Sequence, residues 1–162
     1  MKVHTVILLA GGNDKNSGEL LLKALQMLEN EIGKIVTKSA IYRTAAWGPI
    51  PQPDFMNLAI LMRSKLPPKL LLRRILDIET RLGRVRTIKY GPRTIDIDIL
   101  FYGSQIIKTD TLTIPHPEIA NRRFVLMPCN EISPNFVHPL LKKTIRQLLL
   151  ECKDELEVKL WA

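Results

Sequence analysis

Two aspartates in a short, strand-like run are the residues best suited to chemistry. The run covers residues 91–100, and three isoleucines alternate in it with Asp96 and Asp98. Because successive side chains of a strand point to opposite faces, the carboxylates share one face and the isoleucines share the other. Neighbouring carboxylates repel each other unless a cation or basic groups neutralise them. The pattern predicts a divalent metal site on the exposed face of a sheet.

Basic side chains are dense on both sides of this run. Arg84, Arg86 and Arg93 could neutralise phosphate oxygens, since a guanidinium makes bidentate contacts with them. Magnesium prefers carboxylate and phosphate oxygens and keeps several waters, so two carboxylates could anchor two ions that a triphosphate bridges. An alternative stays open, in which Asp96 and Asp98 lie on a surface strand and pair only with arginines.

The composition is typical of a soluble globular protein that binds an acidic partner. The 162 residues fit one compact domain, 1–162, and carry a net charge of +8. Partners suited to that charge are nucleic acid, an anionic membrane surface and a small polyanion such as a nucleoside triphosphate. No segment has the roughly eighteen apolar residues of a membrane-spanning helix, and the first residues lack a signal-peptide cleavage pattern. We therefore expect a cytoplasmic protein, with Cys129 and Cys152 reduced.

A repeated pattern of strands and helices must position these residues. We predict a strand over residues 3–10 that ends in a glycine turn, and a helix from about residue 17 with Gly33 as its C-terminal cap. A second helix begins at the Pro67-Pro68 pair and repeats the apolar spacing of the first. This helix is predicted to end at Gly83.

The elements fall into two strand-helix-strand halves. Strands are predicted over residues 35–44 and 55–62, and Asn57 lies opposite the apolar face of the second. Two such halves form the ferredoxin-like βαββαβ arrangement of α+β proteins, with an antiparallel sheet and both helices on one face. The other face, which carries the aspartate pair, is expected to be free. The C-terminal extension is predicted to contain extended structure over residues 106–114 and a helix over 140–152.

A proline-rich loop and a histidine between prolines are further candidates. The loop at residues 45–54 cannot pair within a sheet, because proline lacks the backbone donor. Trp47 in this loop is interpreted either as part of a ligand lid or as a hydrophobic anchor. His116 has a fixed backbone between two prolines, although a lone histidine is more often structural. Neither a zinc cluster nor a nucleophile triad is indicated.

Longer motifs run in a fixed order along nearly the whole chain, and the most specific is Gly-Pro-Arg-Thr-x-Asp-x-Asp at residues 91–98. The others are Tyr42-Arg43-Thr44, Gln52-Pro53-Asp54-Phe55 with Asn57, Ile78-Glu79, Gly83-Arg84-Val85-Arg86, Pro115-His116-Pro117, Arg122 with Phe124-Val125-Leu126, Pro128, and Glu131-Ile132-Ser133-Pro134. With these motifs the chain resembles the 6-hydroxymethyl-7,8-dihydropterin pyrophosphokinase family of tetrahydrofolate biosynthesis. The resemblance implies transfer of the β,γ-diphosphate of ATP to the pterin hydroxymethyl group, giving AMP and the pterin diphosphate.

The resemblance also implies roles for single residues. Asp96 and Asp98 would hold two magnesium ions, and Arg84 and Arg93 would act beside them in catalysis. The ATP-binding set would be Glu79, Arg84, Arg93, Thr113, His116 and Arg122. The pterin-binding set would be Thr44, Ala45, Trp47, Phe55, Asn57 and Phe124, with the ring between the two phenylalanines. The loops at 45–54 and 84–92 would close over both reactants.

The chain departs from the family's pattern at four positions. Leu76 stands where a glutamine that touches the nucleotide is common, and Thr111 stands where some members have an arginine. Tyr90 replaces a familiar tryptophan, and Gly12 replaces the usual serine after the first strand. The metal pair and the pterin sandwich are complete.

The implied reaction is an in-line attack of the pterin hydroxyl on the β-phosphorus of ATP, with AMP leaving. Positioning and neutralisation of developing charge would lower most of the barrier. The proton acceptor stays open between Asp98 and a water bound to magnesium. The partners would be two small molecules, without nucleic acid or membrane, and we expect a monomer.

Two other functions stay open from the residues alone. A ferredoxin-like nucleic-acid-binding module would use the +8 charge and stack bases on aromatic side chains of the sheet. Its paired aspartates would repel a phosphate backbone in the absence of a metal. A cyclase-like nucleotidyl enzyme also uses two strand carboxylates, and it would release inorganic pyrophosphate.

Overall fold

A six-stranded antiparallel sheet forms the centre of the fold. The computed structural model describes residues 2–46, 48–84 and 94–161. Its strands are β1 (His4–Gly12), β2 (Gly33–Lys38), β3 (Tyr42–Thr44), β4 (Phe55–Ser64), β5 (Asp96–Tyr102), β6 (Ile107–Lys108), β7 (Thr113–Ile114) and β8 (Val158–Leu160). Its helices are α1 (Ser17–Glu31), α2 (Pro68–Arg81), α3 (Arg123–Ile132) and α4 (Ile145–Glu151), with a 3-10 turn at Ile119–Asn121.

The strand order confirms the predicted ferredoxin-like arrangement. The strands lie in the order β5, β1, β4, β3 and β8, and β2 also pairs with β4. Because β2 and β3 pair with successive stretches of β4, they act as one interrupted strand in place of the continuous strand predicted over 35–44. α1 and α2 connect the strands of the two halves, so the chain has the α+β order expected from its sequence.

α1 and α2 cover one face of the sheet, and this first core fixes the orientation of β5. Apolar stripes of both helices pack on the strands, and full burial of each such side chain contributes about 1.5–3 kcal/mol. Ile95, Ile97 and Ile99 are at most 5% exposed in this core. Asp96 and Asp98 therefore point to the opposite face, where both are partly exposed.

The opposite face of the sheet is not free, so that expectation was wrong. A second core lies there, in which α3 and α4 pack on the strands. Its strand residues include Ile7, Leu9, Ala59 and Phe101, and its helix residues include Val125, Leu126, Cys129, Ile145 and Leu148. Since β1 and β4 are apolar on both faces, both faces must be covered to remove them from water. The aspartates keep their partial exposure beyond the edge of this cover.

Three glycines have different roles from those predicted. β1 continues through Gly11 and Gly12 where a turn was expected, because Gly11 pairs with strands on both sides. Gly33 begins β2 and is not a helix cap; a Cβ there would collide with the carbonyl oxygen of Arg63. Gly83 is confirmed as the residue that ends α2, with a φ of +90°.

The C-terminal part differs most from the predicted elements. The helix expected over 140–152 is confined to α4, which begins at a capping box formed by Thr144 and Gln147. The extended structure over 106–114 is the β6–β7 hairpin, whereas α3 and β8 were not predicted. Among the helices described, none is both long and apolar enough to cross a membrane.

Both cysteines are free thiols, as expected. Cys129 is fully buried in the second core, and this burial raises the pKa of its thiol to about 12. The thiol therefore remains protonated at neutral pH and packs as a small apolar side chain. Cys152 lies partly exposed after α4.

His138 is a structural residue of the second core. Its Nδ1 accepts hydrogen bonds from the backbone N–H groups of Leu140 and Leu141, at 3.2 and 3.1 Å. Its ring meets that of Phe101 edge to face, with 5.5 Å between the centroids. Burial lowers the pKa of His138 below its ordinary value of 6.5, which agrees with a neutral ring that accepts through Nδ1.

Replacement of His138 by asparagine should weaken the dependence of stability on pH. Because the folded-state pKa is lowered, the stabilisation by neutral His138 is complete above its ordinary pKa and is lost as pH falls through the folded-state value. The amide oxygen of His138→Asn can still accept a backbone hydrogen bond but does not titrate. Urea unfolding at about pH 7.5 and about pH 5 should show a smaller loss of unfolding free energy in the variant. Equal losses would contradict the assignment.

Candidate active site

One row of residues crosses three strands beside the aspartate pair. Antiparallel pairing places Gly11 of β1 opposite Asn57 of β4 on one side and opposite Asp96 of β5 on the other. Directly paired residues point to the same face, so Asn57 and Asp96 flank the glycine on one surface. A Cβ at position 11 would collide with Oδ1 of Asn57. The Asn57 side chain therefore extends across β1 in the direction of β5.

The end of α2 folds Arg84 back over Glu79. The N–H of Gly83 donates to the carbonyl oxygen of Thr80 at 3.0 Å, and the N–H of Arg84 donates to that of Glu79 at 3.1 Å. With the positive φ of Gly83, these bonds form a Schellman motif. The local sequence thus determines that the arginine and the glutamate lie side by side.

Arg84 joins this buried glutamate to Asp96. Its Nη1 lies 2.9 Å from Oε2 of Glu79 and 2.7 Å from Oδ1 of Asp96. The same Glu79 oxygen accepts a 2.6 Å hydrogen bond from the backbone N–H of Ile97. Burial raises the pKa of Glu79, while the Ile97 N–H and the Arg84 charge favour its ionised form. α2 is therefore linked to β5 where the aspartates begin.

The donor set of the aspartate pair fits a hard divalent cation. Asp96 pairs with an arginine, as the surface-strand alternative expected, yet its side chain keeps 22% exposure. The described part of the chain contains no group of three or more histidine, cysteine, aspartate or glutamate side chains that could hold a metal. Magnesium commonly binds through one or two carboxylates together with substrate phosphates and water. Asp96 and Asp98 supply such carboxylates, so an ion here would complete its shell with phosphate and water oxygens.

His116 and Arg122 lie on the same side of the site as Asp96. The His116 N–H donates to the carbonyl oxygen of Leu100 in β5 at 3.0 Å, and its Nδ1 accepts from the Glu118 N–H at 3.2 Å. Burial lowers the pKa of His116 and the charge of Arg122 lowers it further, whereas the carboxylates of Glu118 and Asp96 act in the opposite direction. The structure therefore brings a neutral imidazole and a guanidinium towards the aspartate.

The other ATP-side positions that the structure describes are exposed. Thr113 lies in β7, which packs against β5, and its side chain is open to solvent. Leu76 is 41% exposed on α2, and Thr111 lies in the turn between β6 and β7. The leucine and the threonine, at two of the four positions where the chain departs from the family's pattern, thus lie on the surface.

The predicted pterin residues gather on the same face, towards the other edge of the sheet. Thr44 of β3 pairs with Phe55 of β4, and Tyr42 pairs with Asn57. α3 packs over this face and carries Phe124 in its first turn, with the Arg122 guanidinium carbon 5.8 Å from the ring centroid. The structure therefore brings together Thr44, Phe55, Asn57 and Phe124, with Ala45 exposed beside Thr44.

Thr44 has an unsatisfied polar atom. Its Oγ1 is buried and has no hydrogen-bond partner among the residues that the structure describes. A buried hydroxyl without a partner costs about 1–3 kcal/mol, so such an atom calls for an explanation. A polar group of a ligand placed between β3 and α3 would satisfy it.

Several predicted positions lie outside the described residues. They are Trp47, Arg86, Tyr90 and Arg93, together with most of the second predicted loop. Their assigned roles, and closure of the two loops over the reactants, remain predictions.

Two residues near the junction of β1 and α1 were missed by sequence reasoning: Asn13, which anchors the loop at 45–54, and Ser17, the first residue of α1, which binds the chain just before β5. Nδ2 of Asn13 donates to Oε1 of Gln52 at 2.7 Å and to the carbonyl oxygen of Pro53 at 3.0 Å. Oγ of Ser17 donates to the carbonyl oxygen of Thr94 at 2.7 Å. A polar residue directly after a strand was the available signal, but a turn explained it equally well.

Comparison with known proteins identifies the family. The family model described as 7,8-dihydro-6-hydroxymethylpterin-pyrophosphokinase (HPPK) matches residues 7–134, which include the whole row from Asn57 to Asp96. The chain belongs to the HPPK family. It is 42% identical over 147 residues to the Synechocystis 2-amino-4-hydroxy-6-hydroxymethyldihydropteridine pyrophosphokinase, covering 90% of this chain and 75% of that protein. It is 39% identical over 145 residues to the Aquifex aeolicus protein of the same name, covering 88% and 89%.

Solved HPPK structures share the fold. The crystal structure of Plasmodium falciparum HPPK-DHPS with pteroate matches with a TM-score of 0.77 at 19% identity, covering 93% of this chain. This chain spans 42% of that longer one. At this level of identity the likeness concerns the fold alone, and it agrees with the ferredoxin-like arrangement.

Family membership also establishes the reaction. The protein is a pyrophosphokinase of folate biosynthesis, which transfers pyrophosphate from ATP to hydroxymethyldihydropterin. Of the functions left open by the residues alone, this is the one that the HPPK match supports.

Proposed function

We propose that this HPPK is a magnesium-dependent diphosphotransferase whose centre is the pair Asp96 and Asp98. The observation that carries the proposal is the row in which Asp96 and Asn57 flank Gly11 on one surface. The two carboxylates would hold two magnesium ions. Bound there, magnesium supplies positive charge that neutralises phosphate oxygens.

ATP lies on the β5 side of the row. Arg84, which Glu79 holds in place, donates to phosphate oxygens, and Arg122 supplies a second positive charge. Neutral His116, Thr113 and Arg93 complete the ATP-binding set. Each well-placed donor of this kind contributes about 3 kcal/mol to stabilisation of the transition state.

The pterin lies on the β3 side of the row, between the rings of Phe55 and Phe124. The Thr44 hydroxyl and the Asn57 carboxamide bind its polar edge, with backbone groups around Ala45 and Trp47. This placement is supported by the unsatisfied Oγ1 of Thr44 and by the position of α3 over the same face.

The reaction joins the two sides of the row. The pterin hydroxyl oxygen attacks the β-phosphorus in line, the bond from that phosphorus to the oxygen bridging it to the α-phosphate breaks, and AMP leaves. Bound in this way, the two substrates react as if in one molecule, which removes the entropic cost of their encounter. The proton of the hydroxyl passes to Asp98 or to water.

The same proposal covers the organisation of the protein. Residues 1–162 act as one domain, supported by two apolar cores that share a single sheet. The protein works as a monomer in the cytoplasm. Its partners are ATP and 6-hydroxymethyl-7,8-dihydropterin, in place of nucleic acid or a membrane.

Replacement of either site aspartate by asparagine should abolish turnover. Asp96→Asn and Asp98→Asn each remove a negative charge that binds the cation. We therefore expect the rate of AMP formation to fall by a factor of about 10² or more. Phosphorus NMR of ATP, hydroxymethyldihydropterin and magnesium measures AMP directly. Asp77→Asn is the matched control, since Asp77 lies exposed on α2 and pairs with Arg81. Near-native AMP formation by either site variant would overturn the metal assignment.

Replacement of Thr44 by valine should affect the pterin and spare the fold. Valine matches threonine in shape, and the lost hydroxyl has no partner among the described residues, so the free energy of unfolding should stay equal or rise. The Kd for hydroxymethyldihydropterin should rise about three- to tenfold, the worth of one hydrogen bond. Thr37→Val, at an exposed position of β2, is the control for both measurements. Unchanged pterin affinity in Thr44→Val would contradict the role of Thr44.

A further inference from the structure

The C-terminal segment at residues 152–161, called here the C-terminal strap, joins the two sides of the proposed pterin site. It lies beyond residues 7–134, the part that the HPPK family model matches. It begins after α4, passes the first turn of α3 and ends as β8 beside β3. The strap therefore touches both the helix that carries Phe124 and the strand that carries Thr44.

Arg123, the first residue of α3, holds the strap with three hydrogen bonds. Its backbone N–H donates to Oδ2 of Asp154 at 3.0 Å. Its Nε donates to the carbonyl oxygen of Asp154 at 3.0 Å, and its Nη2 donates to that of Cys152 at 3.1 Å. The second carboxylate oxygen of Asp154 accepts from the Leu156 N–H at 3.0 Å. Asp154 is thus bound on both of its oxygens.

Asp154 caps a helix that has no cap of its own. The first N–H groups of a helix lack partners within the helix, and Arg122, the N-cap residue of α3, makes no side-chain capping bond. A carboxylate at this end satisfies one of them and interacts favourably with the helix dipole. Phe124 follows Arg123 directly. The cap therefore fixes the turn from which the Phe124 ring projects.

The other end of the strap supports the opposite side of the site. Val158 of β8 pairs with Thr44, and the Trp161 N–H donates to the carbonyl oxygen of Ile41 at 2.9 Å. The guanidinium carbon of Arg43 lies 4.4 Å from the centre of the Trp161 ring, and its Nε lies 3.9 Å from Asp54. Asp54 directly precedes Phe55, so β8 supports the edge at which both Thr44 and Phe55 lie.

α3 has a separate attachment to β3 at its far end. Glu131 accepts hydrogen bonds from Oη of Tyr42 at 2.6 Å and from the Ala40 N–H at 3.0 Å. Burial and this bond raise the pKa of Tyr42 to about 12, so the hydroxyl keeps its proton as a donor. The Glu131 bonds hold the last turns of α3, while the strap holds the first turn, which carries Phe124.

We propose that Asp154 is a positioning residue for the pterin: through the strap, it holds Phe124 at the distance from Thr44 and Phe55 at which the ring is bound. The proposal rests on the proposed function, which supplies the pterin roles of those three residues. Apart from Arg122, which directly precedes the capped turn, the ATP side is built on α2, on β5 and on the residues around His116, and β5 forms the sheet edge opposite β8. Loss of the cap should therefore weaken pterin binding more than ATP binding.

The test compares the binding of the two substrates to the full-length chain by calorimetry. Asp154→Ala should raise the Kd for hydroxymethyldihydropterin about three- to tenfold, in line with the loss of a helix cap. The Kd for a non-hydrolysable ATP analogue with magnesium should stay within about twofold. Asp154→Asn keeps one oxygen acceptor for the Arg123 N–H and should recover part of the loss. Glu155→Ala is the matched control, because it removes the same charge from an exposed neighbour.

Two further variants make the outcomes distinguishable. Trp161→Ala acts at the β8 end of the strap and should weaken pterin binding selectively as well. Phe124→Ala tests the proposed function itself, and unchanged pterin affinity there would overturn the pterin site as a whole. If Phe124→Ala weakens the pterin while Asp154→Ala and Trp161→Ala bind it normally, the positioning role of the strap is wrong. A parallel loss of affinity for both substrates in Asp154→Ala would also overturn it, since a general loss of structure explains that result.

Discussion

The strand register at Gly11 is the constraint on which the rest of the site depends. It sets Asn57 and Asp96 on either side of one glycine, and a slip of one residue would turn the aspartates into the core under α1 and α2. Burial of Ile95, Ile97 and Ile99 opposes such a slip. The packing of apolar side chains thus determines where the polar ones meet, and in the proposed function the two substrates approach that row from opposite sheet edges.

A buried ionic link holds together the part of the site where ATP is proposed to bind. Glu79 is 2% exposed, and a carboxylate in such a place is tolerated because Arg84 and the Ile97 N–H stabilise it. Since Arg84 also contacts Asp96, its guanidinium lies beside the carboxylates, where the proposed function requires phosphate charge to be neutralised. On the proposed pterin side, by contrast, the Thr44 hydroxyl is buried without a described partner. Both features place groups in position before the substrates bind.

The parts of the fold that depend on short-range sequence patterns were predicted from the sequence. Alternation in β5 and the helical spacing of α1 and α2 gave the sheet, the first core and the face of the aspartates. α3 escaped prediction because Pro128 lies inside it and its capping carboxylate, Asp154, is distant in the chain. The exposed Leu140 and Leu141 suggested a longer terminal helix, whereas the cover of the second face depends on tertiary packing. The pterin came only from family resemblance, since no spacing of residues specifies that ring.

Asp96 and Asp98 are proposed to form the metal site of the enzyme, and a count of bound ions tests this assignment most directly. Manganese can replace magnesium and is visible by electron paramagnetic resonance. When manganese is titrated into the protein together with a non-hydrolysable ATP analogue and hydroxymethyldihydropterin, about 2 ions should bind tightly to each native chain. Asp96→Asn should lose at least one of these sites. A native count and affinity in that variant would contradict the account.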